Sequence, residues 1–149
     1  MKPSGPIVIV ADASVLVKSF LLDESPCPGA ELLMNDVARR RVALLEPPFV
    51  VQEMVSALAR AVRRGRIGGE DASRAVELLL AIRVVTISAE LLAVDMADIA
   101  MRYGISAYDA SYVALADRFG SELFTADERL IAALSGTELP VRSIHDYAR

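Results

Sequence analysis

Four acidic residues of the sequence have the type and placement that can hold a divalent cation. Asp12 directly follows one short apolar run, and Asp127 follows another by two residues. Glu53 and Asp109 lie in the first turns of two apolar helical segments. Helices that follow parallel strands begin at the carboxyl edge of the sheet, so Asp12, Glu53 and Asp127 are expected at that edge. Asp109 follows a helix, and its placement beside them is an inference.

Each acid also fits a purely structural role when it is taken singly. Asp12 and Asp127 are good N-caps for the helices that follow them. Asp109 stands three residues after Ser106, as in a capping box. Glu53 fits an exposed position on its helix. The sequence leaves these alternatives open for every acid considered alone.

The four acids taken together favour a cation site. Two carboxylates about 4 Å apart repel by roughly 4 kcal/mol at an effective dielectric near 20. A group of four is therefore destabilising unless protons or a cation compensate the charge. A hard divalent cation with oxygen ligands, such as Mg²⁺, is the natural compensation, and it leaves positions for a substrate phosphate.

The elements that position these acids alternate along the chain. Apolar runs predict strands at 7–11, 42–45, 84–87, 122–125 and 141–144. Helical patterns lie between them, at 14–22, 29–41, 48–65, 70–82, 89–103, 107–119 and 128–134. The strands are continuously apolar, which indicates burial on both faces and a parallel sheet. The predicted fold class is α/β, a three-layer α/β/α sandwich.

Length and composition bound the kind of protein. A chain of 149 residues has the size of one domain. The apolar fraction is 54% and mean hydropathy is +0.39, so we expect a well-covered core or a subunit interface. No apolar stretch approaches the roughly 20 residues that span a bilayer, which predicts no membrane association. Cys27 is the only cysteine, so a cytoplasmic location is the default expectation.

The charge balance opposes nucleic-acid binding at first sight. The net charge is −4 and the pI is about 5.0, whereas phosphate contacts need positive charge. Acids that hold a cation count toward this total, however. Two arginine groups, at 39–41 and at 60–66, also concentrate positive charge. These arginines equally fit solvated helix ends.

At the acidic residues the sequence resembles the PIN-domain nucleases, and within them the VapC-type toxins. The likeness lies in four blocks that follow one another in the order and spacing of that family. These blocks are VADAS at 10–14, QEMVSAL at 52–58, YDASYVALA at 108–116 and TADERL at 125–130. They extend over nearly the whole chain.

The resemblance implies a single PIN-like nuclease domain over 1–149, with a parallel sheet in the strand order 3-2-1-4-5. It implies a homodimeric endoribonuclease that depends on Mg²⁺, with Mn²⁺ as a substitute, and a VapB-type antitoxin as partner. Several relatives cut structured RNA such as transfer RNA or ribosomal RNA. The family's catalytic and metal-binding quartet carries over onto Asp12, Glu53, Asp109 and Asp127. Thr125 matches a hydroxyl residue near the metal, and Ser14 is a weaker match for the same role.

The hypothesis for mechanism follows from these residues. Asp12, Asp109 and Asp127 are expected to hold one or two Mg²⁺ ions, with Glu53 as ligand, water-holder or general base. Water then attacks the scissile phosphate in line and leaves 5′-phosphate and 3′-hydroxyl ends. A metal-free route through the RNA 2′-hydroxyl commonly uses two histidines, and the chain has only His145.

Three other functions are alternatives to the nuclease. A phospho-receiver domain needs a lysine near its last strand, and a haloacid-dehalogenase-type phosphatase also needs a late lysine. The only lysines are Lys2 and Lys18, so both are disfavoured. The remaining alternative is a catalytically inactive PIN-fold module that binds RNA or protein. Manganese titration separates it from the enzyme, since an inactive scaffold has no reason to bind the ion through these acids.

Overall fold

The computed structural model describes residues 5–21 and 26–147. Its five strands are β1 (Ile7–Ala11), β2 (Val42–Glu46), β3 (Val84–Thr86), β4 (Glu122–Thr125) and β5 (Val141–Ser143). The α-helices in this part of the chain are α1 (Ala13–Phe20), α2 (Pro28–Ala38), α3 (Val50–Arg63), α4 (Gly69–Ala81), α5 (Ala93–Tyr103), α6 (Ala107–Arg118) and α7 (Glu128–Ala133). Short 3₁₀ turns stand at Ala89–Leu91 and Ile144–Asp146.

The strands form one parallel sheet in the order β3-β2-β1-β4-β5. This confirms the predicted fold class and strand order. On the central strand β1, Ile9 lies opposite Leu44 of β2 and Glu122 of β4. The chain order of the strands reverses between β1 and β4, and ligands of open α/β sheets bind outside the carboxyl ends of strands at such a point.

Two apolar cores cover the two faces of the sheet. Successive side chains of a strand point to opposite faces, so β1 contributes Ile9 and Ala11 to one core and Val10 to the other. Helices α1 to α4 pack in the first core, whereas α5, α6 and α7 pack in the second. The three layers therefore follow from strands that are apolar on both faces. None of the helices in the described ranges is both long and apolar enough to cross a bilayer.

Three predicted boundaries differ from the structure for physical reasons. The helix predicted at 29–41 ends at Ala38, because Arg40 adopts a left-handed backbone (φ 59°) and the Arg41 amide donates to the Asp36 carbonyl at 2.9 Å. The helix predicted at 89–103 is instead a 3₁₀ turn followed by α5. Strand β2 continues one residue beyond its prediction, because Glu46 still pairs with Thr86 of β3.

The other boundaries agree to within two residues, the usual uncertainty of helix and strand ends. The helix predicted at 14–22 ends at Phe20. Residue 22, its last predicted position, lies outside the described residues.

Candidate active site

The four predicted acids line one cavity at the carboxyl edge of the sheet. The cavity has a volume of about 780 Å³ and opens between α1, α3 and α6. Asp12, Glu53, Asp109 and Asp127 all contribute to its wall. They come from four separate parts of the chain, and the parallel topology brings them to one place. Asp109, whose position was the least certain from the sequence, lies beside the other three.

Asp12 is the most buried of the four and has a dense set of donors. It lies between β1 and α1 and is 7% exposed. Both of its carboxylate oxygens accept from side-chain hydroxyls, one from Ser14 and the other from Thr125. The Val15 amide adds a helix-capping bond at 3.2 Å. Burial nevertheless raises the pKa of Asp12 above its ordinary value, although these hydrogen bonds lower it.

The two hydroxyl residues also tie Asp12 to the segment that carries Asp127. Thr125 Oγ1 accepts from the Asp127 amide at 2.9 Å, and Ser14 Oγ accepts from the Ala126 amide at 3.0 Å. Each hydroxyl therefore donates to Asp12 and accepts from the loop after β4. Thr125 is fully buried, whereas Ser14 lines the cavity, and both fix the orientation of Asp12.

Asp127 lines the cavity and also caps the N-terminus of α7. Its Oδ1 accepts from the amides of Arg129 at 2.9 Å and Leu130 at 3.3 Å.

Asp109 likewise lines the cavity and takes part in capping a helix, in this case at the start of α6. The Ser106 hydroxyl donates to Asp109 Oδ2 at 2.7 Å and accepts from the Asp109 amide at 3.0 Å. The capping roles of these aspartates and their position in the cavity wall are therefore compatible.

Glu53 is held by a tyrosine that the sequence did not single out. The Tyr112 hydroxyl of α6 donates to Glu53 Oε2 of α3 at 2.6 Å. Burial raises the pKa of Glu53, and the charges of Asp12 and Asp109 raise it further, whereas the Tyr112 bond and the charge of Arg60 lower it. Desolvation together with the nearby acids raises the pKa of Tyr112 as well, so its hydroxyl stays a donor.

A fifth acid, Glu46, lies beneath the cavity and was missed by the sequence analysis. It ends β2 and is fully buried. Glu46 Oε1 accepts from the Ala11 amide at 3.2 Å, but Oε2 has no hydrogen-bond partner in the described structure. Burial raises its pKa well above the ordinary value, and the charges of Asp12 and Glu53 raise it further. The signal was available, because Glu46 ends an apolar strand just as Asp12 follows one.

The donor chemistry of the site fits a hard divalent cation. Every acid in the cavity wall offers carboxylate oxygens, the ligands that Mg²⁺ and Mn²⁺ prefer. Besides burial, the charges of Asp12 and Asp109 raise the pKa of Glu53, so these carboxylates lie close enough to interact electrostatically. In the described ranges, however, no three Asp, Glu, His or Cys side chains stand close enough to hold a metal ion as they are positioned. Each acid instead bonds to its own neighbours.

The sequence matches one protein family and several ribonucleases of known name. The family model described as PIN domain matches residues 9–134. Ribonuclease VapC9 of Mycobacterium tuberculosis is 37% identical over 102 residues, which make up 66% of this chain and 79% of that protein.

Solved structures with the same fold include two that cover most of both chains. PAE2754 from Pyrobaculum aerophilum superposes with a TM-score of 0.67 at 24% identity, covering 93% of this chain and 92% of its own. A toxin–antitoxin complex from Klebsiella pneumoniae contains a chain that superposes with a TM-score of 0.59 at 15% identity, covering 91% and 97%. At these identities the two structures support the fold alone.

Proposed function

The chain belongs to the PIN domain family, and from this premise we propose that it is a metal-dependent endoribonuclease, the toxin of a toxin–antitoxin pair. The proposal takes residues 1–149 as one nuclease domain acting in the cytoplasm. The name of the relative from M. tuberculosis, a VapC ribonuclease, supports activity on RNA. The observation that carries the proposal is that four acids from distant segments line one cavity.

Asp12, Asp109 and Asp127 would hold Mg²⁺, or Mn²⁺ in its place, and Glu53 would face the attacking water. When bound, such a cation would neutralise charge at the scissile phosphate and would make water a better nucleophile. Ser14 and Thr125 hold the two oxygens of Asp12 in fixed directions, so that this carboxylate needs little reorganisation. Tyr112 donates to Glu53 Oε2, so Glu53 Oε1 would be the oxygen that accepts a proton.

Cleavage of RNA by matched variants tests this function. Asp12→Asn and Asp109→Asn should lower the cleavage rate by at least about 100-fold, because loss of residues that merely support metal ligands costs about 10- to 100-fold. Asp98→Asn, an exposed aspartate on α5, is the matched control and should cleave like the wild type. EDTA should abolish cleavage by every variant. Activity that persists in EDTA or in Asp12→Asn would contradict the metal-dependent mechanism. No cleavage by the wild type in Mg²⁺ would leave the inactive binding module as the better account.

The partners of the proposed toxin are a second copy of the chain and a VapB-type antitoxin. Exposed apolar side chains on α3 and α4, among them Val55 and Leu78, support contact with partners. A chain of the same fold from K. pneumoniae is part of a toxin–antitoxin complex, so an antitoxin partner is compatible with this fold. Sedimentation of the purified chain should give the mass of a dimer, and a monomer would contradict homodimerisation. Co-expression with the product of an adjacent short reading frame should yield a stable complex that no longer cleaves RNA.

A further inference from the structure

An exposed aromatic ring stands at one end of the acidic cavity. Tyr108 precedes Asp109 on α6, lines the cavity and is 59% exposed. Its ring meets Phe49 edge to face, with centroids 5.0 Å apart at 90°. Phe49 in turn meets the buried ring of Tyr112 at 5.7 Å in the same geometry. Tyr108 is therefore a largely exposed ring, and its edge-to-face contact with Phe49 holds it beside the acids.

Positive charge stands at the other end of the same cavity. Arg60 lies on α3, seven residues after Glu53, so two helical turns place both on one face. Arg60 is exposed and lines the cavity, and Lys18 of α1 lines it too. Phe49 lies directly before α3 and contacts Tyr108, and Arg60 is eleven residues further on, about 16 Å along the helix axis. In the direction of α3, the aromatic ring of Phe49 therefore comes first, then the acidic Glu53, and then the cationic Arg60.

This order suits a single strand of RNA whose scissile phosphate lies at the acids. Aromatic side chains bind unstacked bases through their π-faces, and arginines bind phosphates. A base held at one end and a phosphate held at the other would keep the intervening backbone against the carboxylates, over a span of a few nucleotides. A duplex has its bases stacked on each other and offers none to Tyr108.

Resting on the ribonuclease proposed above, we infer that Tyr108 stacks on an unpaired base beside the cleavage position and that Arg60 binds a phosphate on the opposite side. Tyr108 and Arg60 are substrate-positioning residues, and the acids remain the centre of the reaction.

Binding measured apart from cleavage tests the role of Tyr108. All variants are built in the Asp12→Asn background with Mg²⁺ present, and the probe is a short, unstructured oligouridylate with a fluorescent label, read by anisotropy. Tyr108→Ala should weaken binding roughly 5- to 150-fold, the equivalent of about 1–3 kcal/mol of base stacking. Tyr108→Phe should restore it to within about twofold, because the ring is kept. Phe119→Ala, an exposed aromatic outside the cavity, is the matched control and should bind like the parent.

The salt dependence of the same binding tests Arg60. Arg60→Gln should reduce the slope of log affinity against log salt by roughly 0.7, the contribution of one phosphate contact on a single strand. Arg102→Gln, an exposed arginine on α5, should leave the slope unchanged. Unaltered binding by Tyr108→Ala, an unaltered slope in Arg60→Gln, or duplex RNA bound as tightly as the single strand would overturn the inference. Failure of the wild-type protein to cleave RNA in Mg²⁺ would overturn the proposed function itself, whereas loss of these binding effects alone would not.

Discussion

Tyr112 and Glu53 are 59 residues apart in the chain, yet the tyrosine hydroxyl donates to Glu53 Oε2 at 2.6 Å. The bond joins α6 to α3 across the floor of the acidic cavity, where Tyr112 is only 2% exposed. It fixes one oxygen of Glu53. Burial raises the pKa of this carboxyl, and the hydrogen bond from Tyr112 partly offsets that increase. The pKa of Glu53, on α3, therefore depends on how α6 packs against α3.

Replacement of this tyrosine should therefore change how cleavage depends on pH. In Tyr112→Phe the ionised form of Glu53 loses a hydrogen bond, so its pKa rises further above the ordinary value. If Glu53 acts as an ionised group, the acid limb of the pH–rate profile moves to higher pH. The protein should also lose about 1.5–3 kcal/mol of stability, the range for hydrogen bonds to charged groups.

A second tyrosine provides the control for that effect. The Tyr147 hydroxyl donates to Asp36 Oδ2 at 3.0 Å, and neither residue lines the cavity. Tyr147→Phe should lower stability in the same way without moving the pH profile. A pH profile that is identical in Tyr112→Phe and the wild type would show that Glu53 does not titrate in the reaction.

Thr125 offers a test of how Asp12 is oriented. Its hydroxyl donates to Asp12 and accepts from the Asp127 amide, so Thr125→Val disturbs two acids of the site together. Cleavage and Mn²⁺ affinity should each fall about 10- to 100-fold, as is typical for residues that support metal ligands. Thr125→Ser keeps the hydroxyl and should recover most of both. Thr86→Val, at an exposed position that ends β3, serves as control; equal losses in the two valine variants would contradict a specific role of Thr125.

The buried carboxyl of Glu46 predicts an unusual dependence of stability on pH. Its pKa in the folded protein is well above the ordinary value of 4.5, so the folded state holds its proton over a pH range in which the unfolded chain has released it. Its contribution to stability is therefore complete below about pH 4.5 and is lost as the pH rises through the folded pKa. Glu46→Gln removes this titration and keeps the oxygen that accepts from Ala11.

Thermal unfolding in EDTA measures that contribution. The unfolding temperature of the wild type should fall relative to that of Glu46→Gln as the pH is raised from about 5 to about 8. In this range the unfolded wild-type chain releases the Glu46 proton that the folded state retains, and the Gln variant has no such proton. Parallel curves for the two proteins would mean that the Glu46 carboxyl titrates alike in the folded and unfolded states.

A tight approach between α2 and the C-terminal 3₁₀ turn gives a test of the fold alone. A Cβ atom added to Gly29 would lie 1.9 Å from the Ile144 carbonyl oxygen, a backbone atom that cannot swing aside. Gly29→Ala should destabilise the protein by about 1–3 kcal/mol, the usual cost of overpacking. Gly69→Ala, where a Cβ meets no atom within 4 Å, is the control. Equal denaturation midpoints for the two variants would contradict this packing.

The sequence predicts the fold well because the signals for the strands are local and strong. Continuous apolar runs give all five strands, and the acids that follow Ala11 and Thr125 are visible at the strand ends. Glu46 was missed because the predicted strand stopped at Leu45, before the pairing with β3 that carries β2 onward. The bond between Tyr112 and Glu53 depends on how two helices pack, and no local pattern specifies it. The same is true of the hydroxyl pair on Asp12, which joins the ends of β1 and β4.

Titration of the protein with Mn²⁺ by calorimetry tests most directly whether the acids at the carboxyl edge form one cation site. The wild type and Asp98→Asn should bind the ion alike, whereas Asp12→Asn and Asp109→Asn should each bind it at least about tenfold more weakly. If the two acids belong to one site, each substitution should lower the Mn²⁺ affinity. Unchanged Mn²⁺ affinity in both Asp12→Asn and Asp109→Asn would contradict it.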